Sequence, residues 1–431
     1  MLSSNLTVGE NGHLYFGGQD TVELAKQYGT PLYVMDEIRI RENMRMYLRA
    51  FEEHFGEGSR PLYASKANSF KRMYEIAKEE GMGIDVVSSG EIYTAIRAGF
   101  PLENAYFHSN NKTDWDIAYA IDNGIGYFVV DNREEVDAIN AIAGKKDKKQ
   151  PILLRLTPGV DPHTYEAVST GKVDSKFGTS IETGQALEMV RHTLSLPNLE
   201  LKGFHCHVGS QVFGEDIYER ASEIMLDFMA LCRKEFGVEL EQLDMGGGYG
   251  VRYMDDDDHV DIPAAIGRVA AHMKACCEKL GMALPKIFME PGRSIAADAG
   301  LTLYSVGTIK KITGYKNYVS VDGGMTDNPR YALYGSKYTV YHANRPLDEK
   351  NLVADVVGRC CESGDMVQPN VALPEPVRGE IIAVCTTGAY NYSMASNYNR
   401  VARPAMVMVT PETSYVTIRR ESLEDLVRND V

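Results

Sequence analysis

No run of this 431-residue chain is apolar over the length of a membrane span, and no internal repeat or low-complexity linker stands out. The segment Met1 to Phe16 has neither the basic start nor the apolar core of an export signal, so none is expected. Positive charge is in short supply: 45 Lys and Arg against 60 Asp and Glu leave a net charge of −15. Such a surface repels phosphate backbones and anionic lipid, which argues against nucleic-acid and membrane partners. Cysteine is sparse as well. Seven, an odd number scattered along the chain, do not suggest a disulfide framework, and a reducing cytoplasm is the expected compartment. No G-x-G-x-x-G dinucleotide fingerprint is recognisable. What remains, 44% hydrophobic and 24% charged residues, is ordinary for a globular enzyme, and the length predicts two domains.

The middle of the chain alternates short apolar runs with amphipathic ones. Strands are expected to begin near Pro61, Gly83, Ala105, Tyr127, Pro151, Leu201, Leu240 and Lys286. Helical stretches lie between them, among them Phe70 to Glu80, Thr113 to Asn123, Asp216 to Phe236 and Ile262 to Leu280, and Ile38 to Phe55 precedes the first strand. That alternation predicts βαβ crossovers and a parallel sheet, and eight repeats close a (β/α)8 barrel. An open doubly wound sheet is the alternative. After Arg293 the periodicity changes. Leu301 to Ile312, Tyr318 to Asp322, Tyr338 to Ala343, Ile381 to Val384 and Met406 to Arg419 read as antiparallel strands of a β-sandwich or β-barrel. The expected division is a barrel over 36–295 and a β-domain formed by 1–35 with 296–431, the N-terminal part carrying a possible hairpin at Asn11-Gly12.

The strand ends carry the chemistry. In chain order they read Lys66, Asp85, His108, Asp131, Arg155, His207, Gly246-Gly247-Gly248 and Glu290. In a barrel these ends form the active-site mouth, and the last two loops often hold a phosphate. Lys66 alone could be a snorkelling surface lysine. His205 and His207 share a strand face while Cys206 takes the other, which spoils a three-ligand metal site; a buried histidine pair is the bland reading. A flat imidazole could instead stack on a pyridine ring, and Ser210 could hydrogen-bond a phosphate. The glycine triplet can turn backbone N–H groups toward an anion, or be no more than a tight turn. Glu290 and Arg293, in Glu290-Pro291-Gly292-Arg293, place a carboxylate and a guanidinium three residues apart. A carboxylate beside a pyridine nitrogen keeps it protonated, and a lysine can hold a pyridoxal ring as a Schiff base. The combination points to pyridoxal 5'-phosphate. Asp255 to Asp258 reads as a solvated loop, because contiguous acids rarely converge on one cation.

Taken together, several runs resemble the alanine racemase-like, fold-type III pyridoxal phosphate enzymes, and most closely the diaminopimelate decarboxylase family. They are Tyr63-Ala64-Ser65-Lys66-Ala67-Asn68, His207-Val208-Gly209-Ser210-Gln211, Gly246-Gly247-Gly248-Tyr249-Gly250, Glu290-Pro291-Gly292-Arg293, Cys361-Glu362-Ser363-Gly364-Asp365 and Ser396-Asn397-Tyr398-Asn399. Asp161-Pro162-His163-Thr164, Ser169-Thr170-Gly171 and Asp174 to Gly178 also look like that family. The likeness covers nearly the whole chain. It implies that Lys66 carries the cofactor, that His207 stacks on its ring, and that Ser210 and Gly248 bind its phosphate. Glu290 then pairs with the ring nitrogen, with Gly292, Arg293 and Tyr390 also at the cofactor. Arg293, Arg330, Tyr334, Glu362 and Tyr390 surround the substrate. Cys361 is the general acid and, by resemblance, comes from the other subunit of a homodimer. No metal is implied. Two departures stand out: Tyr165-Glu166-Ala167 after the His163-Thr164 pair, and Tyr331 where a proline is common.

The resemblance implies decarboxylation of meso-2,6-diaminopimelate at its D-centre to L-lysine and carbon dioxide, the last step of lysine biosynthesis. The far end of that substrate carries a carboxylate and an ammonium, so a cation (Arg293 or Arg330) and an anion (Glu362) are needed together. Family decarboxylases of ornithine or lysine typically carry an acid after the tyrosine matching Tyr334; here Gly335 stands there. The rival readings are a D-lysine, D-ornithine or carboxynorspermidine decarboxylase, an amino-acid racemase, and a non-catalytic, decoy-like binding protein of the same fold.

Overall fold

The computed structural model describes residues 1–160, 175–214 and 216–431. The runs from Asp161 to Thr164, Tyr165 to Ala167 and Ser169 to Gly171, and Asp174, lie outside the described residues. The chain divides into two compact units, one of 43–250 with 259–292 and the other of 1–42, 251–258 and 293–431.

The first unit is a closed barrel of eight parallel strands. They are β1 (Arg60–Ala64), β2 (Gly83–Val86), β3 (Ala105–Phe107), β4 (Tyr127–Val130), β5 (Gln150–Thr157), β6 (Leu199–His205), β7 (Gln242–Asp244) and β8 (Lys286–Met289). Each pairs in parallel with the next, and β8 closes on β1 through Phe288 with Arg60 and Met289 with Pro61. The helices between them have legible ends. Thr113 and Asp116 form a capping box at the start of Asp114–Asp122, and Gly81, in the left-handed region at φ 80°, ends Lys71–Glu80. A helix at Gln185–Leu194, before β6, goes beyond the sequence expectations.

Inside the barrel Leu62, Tyr106, Val129, Leu153 and Phe288 form one buried layer. Tyr106 stacks on Tyr127 at 4.4 Å, and Gln242 bridges the two phenols. Fully burying a Leu, Val or Phe side chain stabilises by about 1.5–3 kcal/mol each. This plug therefore supplies the rigidity on which a polar mouth can stand. Inward positions recur every second residue along a strand. Two residues beyond these plug positions stand Ala64, His108, Asp131, Arg155 and Glu290, and two beyond Gly83, Gly203 and Gln242 stand Asp85, His205 and Asp244.

In the second unit a nine-stranded sheet runs Met366–Leu373, Leu352–Val357, Lys316–Val321, Gly300–Ile312, Leu32–Asp36, Ala405–Val409 and Ser414–Ile418, with Val340–His342 and Ile381–Cys385 beside it. The N-terminal strand Leu32–Asp36 thus joins the late strands, and the Leu6–Val8 and Leu14–Phe16 hairpin turns at Gly12. Two pairings depart from the antiparallel expectation. Lys316–Val321 runs parallel to Leu352–Val357, and Ala405–Val409 parallel to Leu32–Asp36. Their connections are long enough for crossovers, which adjacent-strand reasoning does not register. The run expected as one strand from Met406 to Arg419 is a hairpin, turning after Val409 at Thr410 to Thr413. Strands Leu352–Val357 and Met366–Leu373 were obscured in the sequence by Asp355 and by Pro369-Asn370, polar and breaker residues inside apolar runs. Within the Asp255 to Asp258 run, Asp257 ties down its own loop by accepting the Tyr253 and Met254 N–H groups at 2.7 and 2.9 Å.

Candidate active site

Glu290 follows β8 directly, and its buried carboxylate lies between two imidazoles. His108 Nε2 is 2.7 Å from one oxygen and His205 Nε2 is 3.2 Å from the other. The imidazoles meet edge to face at 4.8 Å. Burial alone would raise the Glu290 pKa, but these two histidines hold it well below the carboxylate range. Asp244, at the end of β7, goes the other way: burial and then the Glu290 charge push it well above its ordinary value. The two buried carboxyls shift in opposite directions, so Glu290 holds its negative charge more firmly than Asp244 does. Asp85 is also raised, first by burial, with His108 opposing. An unpaired buried charge costs several kcal/mol, so a layer this polar would not persist for stability alone.

His205 is buried in this layer, and burial lowers its pKa to about 4 despite the attraction of Glu290. The neutral ring then donates Nε2–H to the carboxylate. The linkage has a definite sign. Unfolded His205 takes up a proton below its ordinary pKa of about 6.5 and the folded one does not, so its contribution is present above that pH and lost as pH falls toward 4. We expect His205→Gln to flatten the fall in unfolding free energy over that window by up to about 1.4 kcal/mol per pH unit. Denaturant midpoints of both proteins between pH 7 and 4 check it. Identical pH slopes would show that His205 is not buried neutral.

The glycine triplet continues β7 under tight steric limits. A Cβ on Gly247 would come 2.0 Å from the Glu290 carbonyl oxygen, and one on Gly248 2.1 Å from that of Gly209. Gly246 N–H donates to Asp244 Oδ1 and Gly247 N–H to His207 Nδ1. The three carbonyls accept from Glu290 N, Tyr218 Oη and Val212 N. Half-exposed Gly248 keeps an N–H with no acceptor among the described residues. That is a donor suited to a phosphate oxygen. Ser210 lies two residues before Val212, and burial with the Lys66 charge keeps the His207 pKa well below normal, so its ring is neutral. Lys66 occupies a 3-10 turn, Ser65–Ala67, straight after β1, exposed between buried Ser65 and Ala67. Its charge acts on Asp85, Glu91 and His207. Gly292 packs on the end of β1, where a Cβ would meet that of Ala64 at 2.9 Å. A lysine, a glycine cradle, a neutral imidazole and an ionised carboxylate fit a phosphorylated pyridine aldehyde.

The remaining candidates belong to the β-rich unit. Buried Arg293 donates to Tyr253 Oη at 2.7 Å, and its guanidinium lies 4.7 Å from the Tyr390 ring. Buried Arg330 lies 5.3 Å from the same ring and 5.1 Å from that of Tyr334. Two guanidiniums thus lie near the Tyr390 ring, and the Tyr390 backbone is in the left-handed region at φ 62°. A guanidinium carries a planar fork of N–H donors that matches a carboxylate. Arg330 begins the short helix Arg330–Tyr334, which Gly335 ends in the left-handed region. Cys361 and Glu362 lie on an exposed loop, and no hydrogen bond or ion pair joins them to the arginine cluster among the described residues. His108, His205 and Asp244 as the surroundings of Glu290, and Tyr253 as the partner of Arg293, were not assigned from the sequence. The period-two pattern could have found the first three.

Barrel and mouth together define a pyridoxal phosphate-dependent enzyme. The family model described as "Pyridoxal-dependent decarboxylase, pyridoxal binding domain" matches residues 39–297. Diaminopimelate decarboxylase of Bacillus methanolicus is 42% identical, with 96% of each chain covered, and that of Bacillus subtilis (strain 168) is 41% identical over 98% of this chain and 96% of its own. The crystal structure of diaminopimelate decarboxylase from M. jannaschii in co-complex with L-lysine superposes with a TM-score of 0.91 at 32% identity, covering 100% of this chain and 99% of that one. The chain belongs to the diaminopimelate decarboxylase family of pyridoxal-dependent decarboxylases.

Proposed function

We propose that this protein removes the carboxylate at the D-centre of meso-2,6-diaminopimelate, giving L-lysine and carbon dioxide, the last step of lysine biosynthesis. The observation that carries the reading is the ionised, histidine-held Glu290 beside a glycine cradle and Lys66, in a chain of this family. Bound pyridoxal phosphate supplies an electron sink that lets the carbon–carboxylate bond break. Glu290 stays anionic because its two oxygens lie against His108 and His205, which hold its pKa down, and it would keep the ring nitrogen protonated. Neutral His207 would lie on the ring face, and Ser210, Gly248 and Gly292 would hold the cofactor with Arg293 and Tyr390. Lys66 would hold the cofactor covalently until the substrate amine replaces it. Cys361 would return a proton to the carbon that has lost carbon dioxide. Arg330, with Arg293 and Tyr334, would read the distal carboxylate, and Glu362 the distal ammonium. By its resemblance to the family, Cys361 would reach the active site of a partner subunit, and the working form would be a homodimer. The expected compartment is the cytoplasm; all seven cysteines are free, and no helix among the described residues is long and apolar enough to cross a membrane.

The direct test is stoichiometry. Each carbon dioxide released from meso-diaminopimelate should be matched by one L-lysine, and release without lysine would contradict the reading. Arg330→Lys tests the distal contact. Lysine keeps the charge and loses the fork, so the Michaelis constant should rise about tenfold, the value of one charge-assisted hydrogen bond. An unchanged Michaelis constant would mean that Arg330 does not read that carboxylate.

A further inference from the structure

The run Ser396-Asn397-Tyr398-Asn399 has no role in the chemistry described so far. It forms a loop beside the cysteine, and the Cys361 N–H donates to Asn399 Oδ1 at 2.8 Å. Asn399 holds this pose at φ 51°, and Arg400 follows at φ 56°. Two consecutive left-handed residues without glycine are a strained arrangement that must be held by its surroundings. The holding groups are visible. Glu421 accepts from Asn397 Nδ2 at 2.6 Å and from the Arg403 backbone and side chain at 2.8 and 2.7 Å. Ser396 N–H donates to the Thr326 carbonyl at 2.9 Å. Buried Asp365 accepts from Cys360 N–H at 2.7 Å and from Met325 N–H at 2.6 Å. Two successive N–H groups of the cysteine loop are therefore each bound by a different side chain.

We propose that Asn399 is a positioning residue for the Cys361 thiol, its side-chain oxygen fixing the backbone that aims the sulfur. This rests on the reading of Cys361 as the proton donor. In that step the S–H bond breaks, a C–H bond forms at the decarboxylated carbon, and the thiolate regains a proton from solvent. Asn399 touches none of the reacting atoms. It is exposed, so its replacement leaves the core alone.

Asn399→Gly removes the acceptor and accepts the left-handed backbone without strain. In the holoenzyme kcat should fall about five- to tenfold, as for loss of one hydrogen bond, with the Michaelis constant nearly unchanged. The rate of iodoacetamide labelling at Cys361, read by peptide mass, should change severalfold. Asn399→Asp keeps the acceptor and should restore kcat, while its added negative charge moves Cys361 labelling to higher pH. The cycle with Cys361→Ala separates the claims. If Asn399 acts through the thiol, Cys361→Ala/Asn399→Gly is no slower than Cys361→Ala alone. If Cys361→Ala is slow while Asn399→Gly matches wild type in both turnover and labelling, the positioning role is wrong and the donor stands. If Cys361→Ala itself turns over normally, the donor reading fails, and the inference with it. Should Asn399→Gly not fold, Asn399→Ser, too short to reach the N–H, gives the same comparison.

Discussion

Lys66→Ala should leave a folded protein whose decarboxylation is about 10²–10⁴-fold slower, the range for loss of a positioned proton-transferring group, with covalent attachment of the cofactor lost as well. The side chain is exposed, on a turn set by buried Ser65 and Ala67, so the barrel does not depend on it. In the wild type, borohydride reduction and peptide mapping should find the pyridoxyl group on Lys66, and the variant should yield no adduct. An adduct on another lysine would overturn the assignment. The same variant tests the shared-site dimer. Mixed under exchange conditions with Cys361→Ala, it should recover activity, because each mixed dimer has one site with both residues intact. If exchange is demonstrated and activity stays at the parental level, each site is built within one chain.

Glu290→Gln is expected to cost about 10²–10³-fold in kcat, the scale for removing a preorganised electrostatic group. An amide is close in shape to the carboxylate, so cofactor binding should persist. What changes is charge: a neutral group cannot keep the ring nitrogen protonated, and His108 and His205 lose the anion they flank. Turnover near the wild-type value, or loss of the cofactor at unchanged turnover per bound cofactor, would contradict the role drawn for Glu290.

The polar layer of the barrel was legible because strand geometry repeats every two residues. Once Leu62, Tyr106, Val129, Leu153 and Phe288 are read as inward, His108, Asp131, Arg155 and Glu290 must be inward too. His205 was harder to place, since a strand end shifted by two residues exchanges it with His207. Here β6 stops at His205, and His207 turns to the glycine triplet instead. Which carboxylate holds its charge more firmly was not legible at all. It depends on separations between β3, β6, β7 and β8 that no sequence distance encodes. The β-rich unit was read less well for a similar reason. Its parallel pairings and the contact of Cys361 with Asn399 join residues far apart in the chain.

The central claim is the choice of substrate. Holoenzyme should be offered meso-diaminopimelate, D-lysine and L-ornithine in parallel, with carbon dioxide release followed for each. The account predicts rapid release from meso-diaminopimelate, with L-lysine as product, and little or none from the two substrates that lack a distal carboxylate. Preferred release from D-lysine or L-ornithine would contradict it, because Arg293 and Arg330 would then have no carboxylate to read.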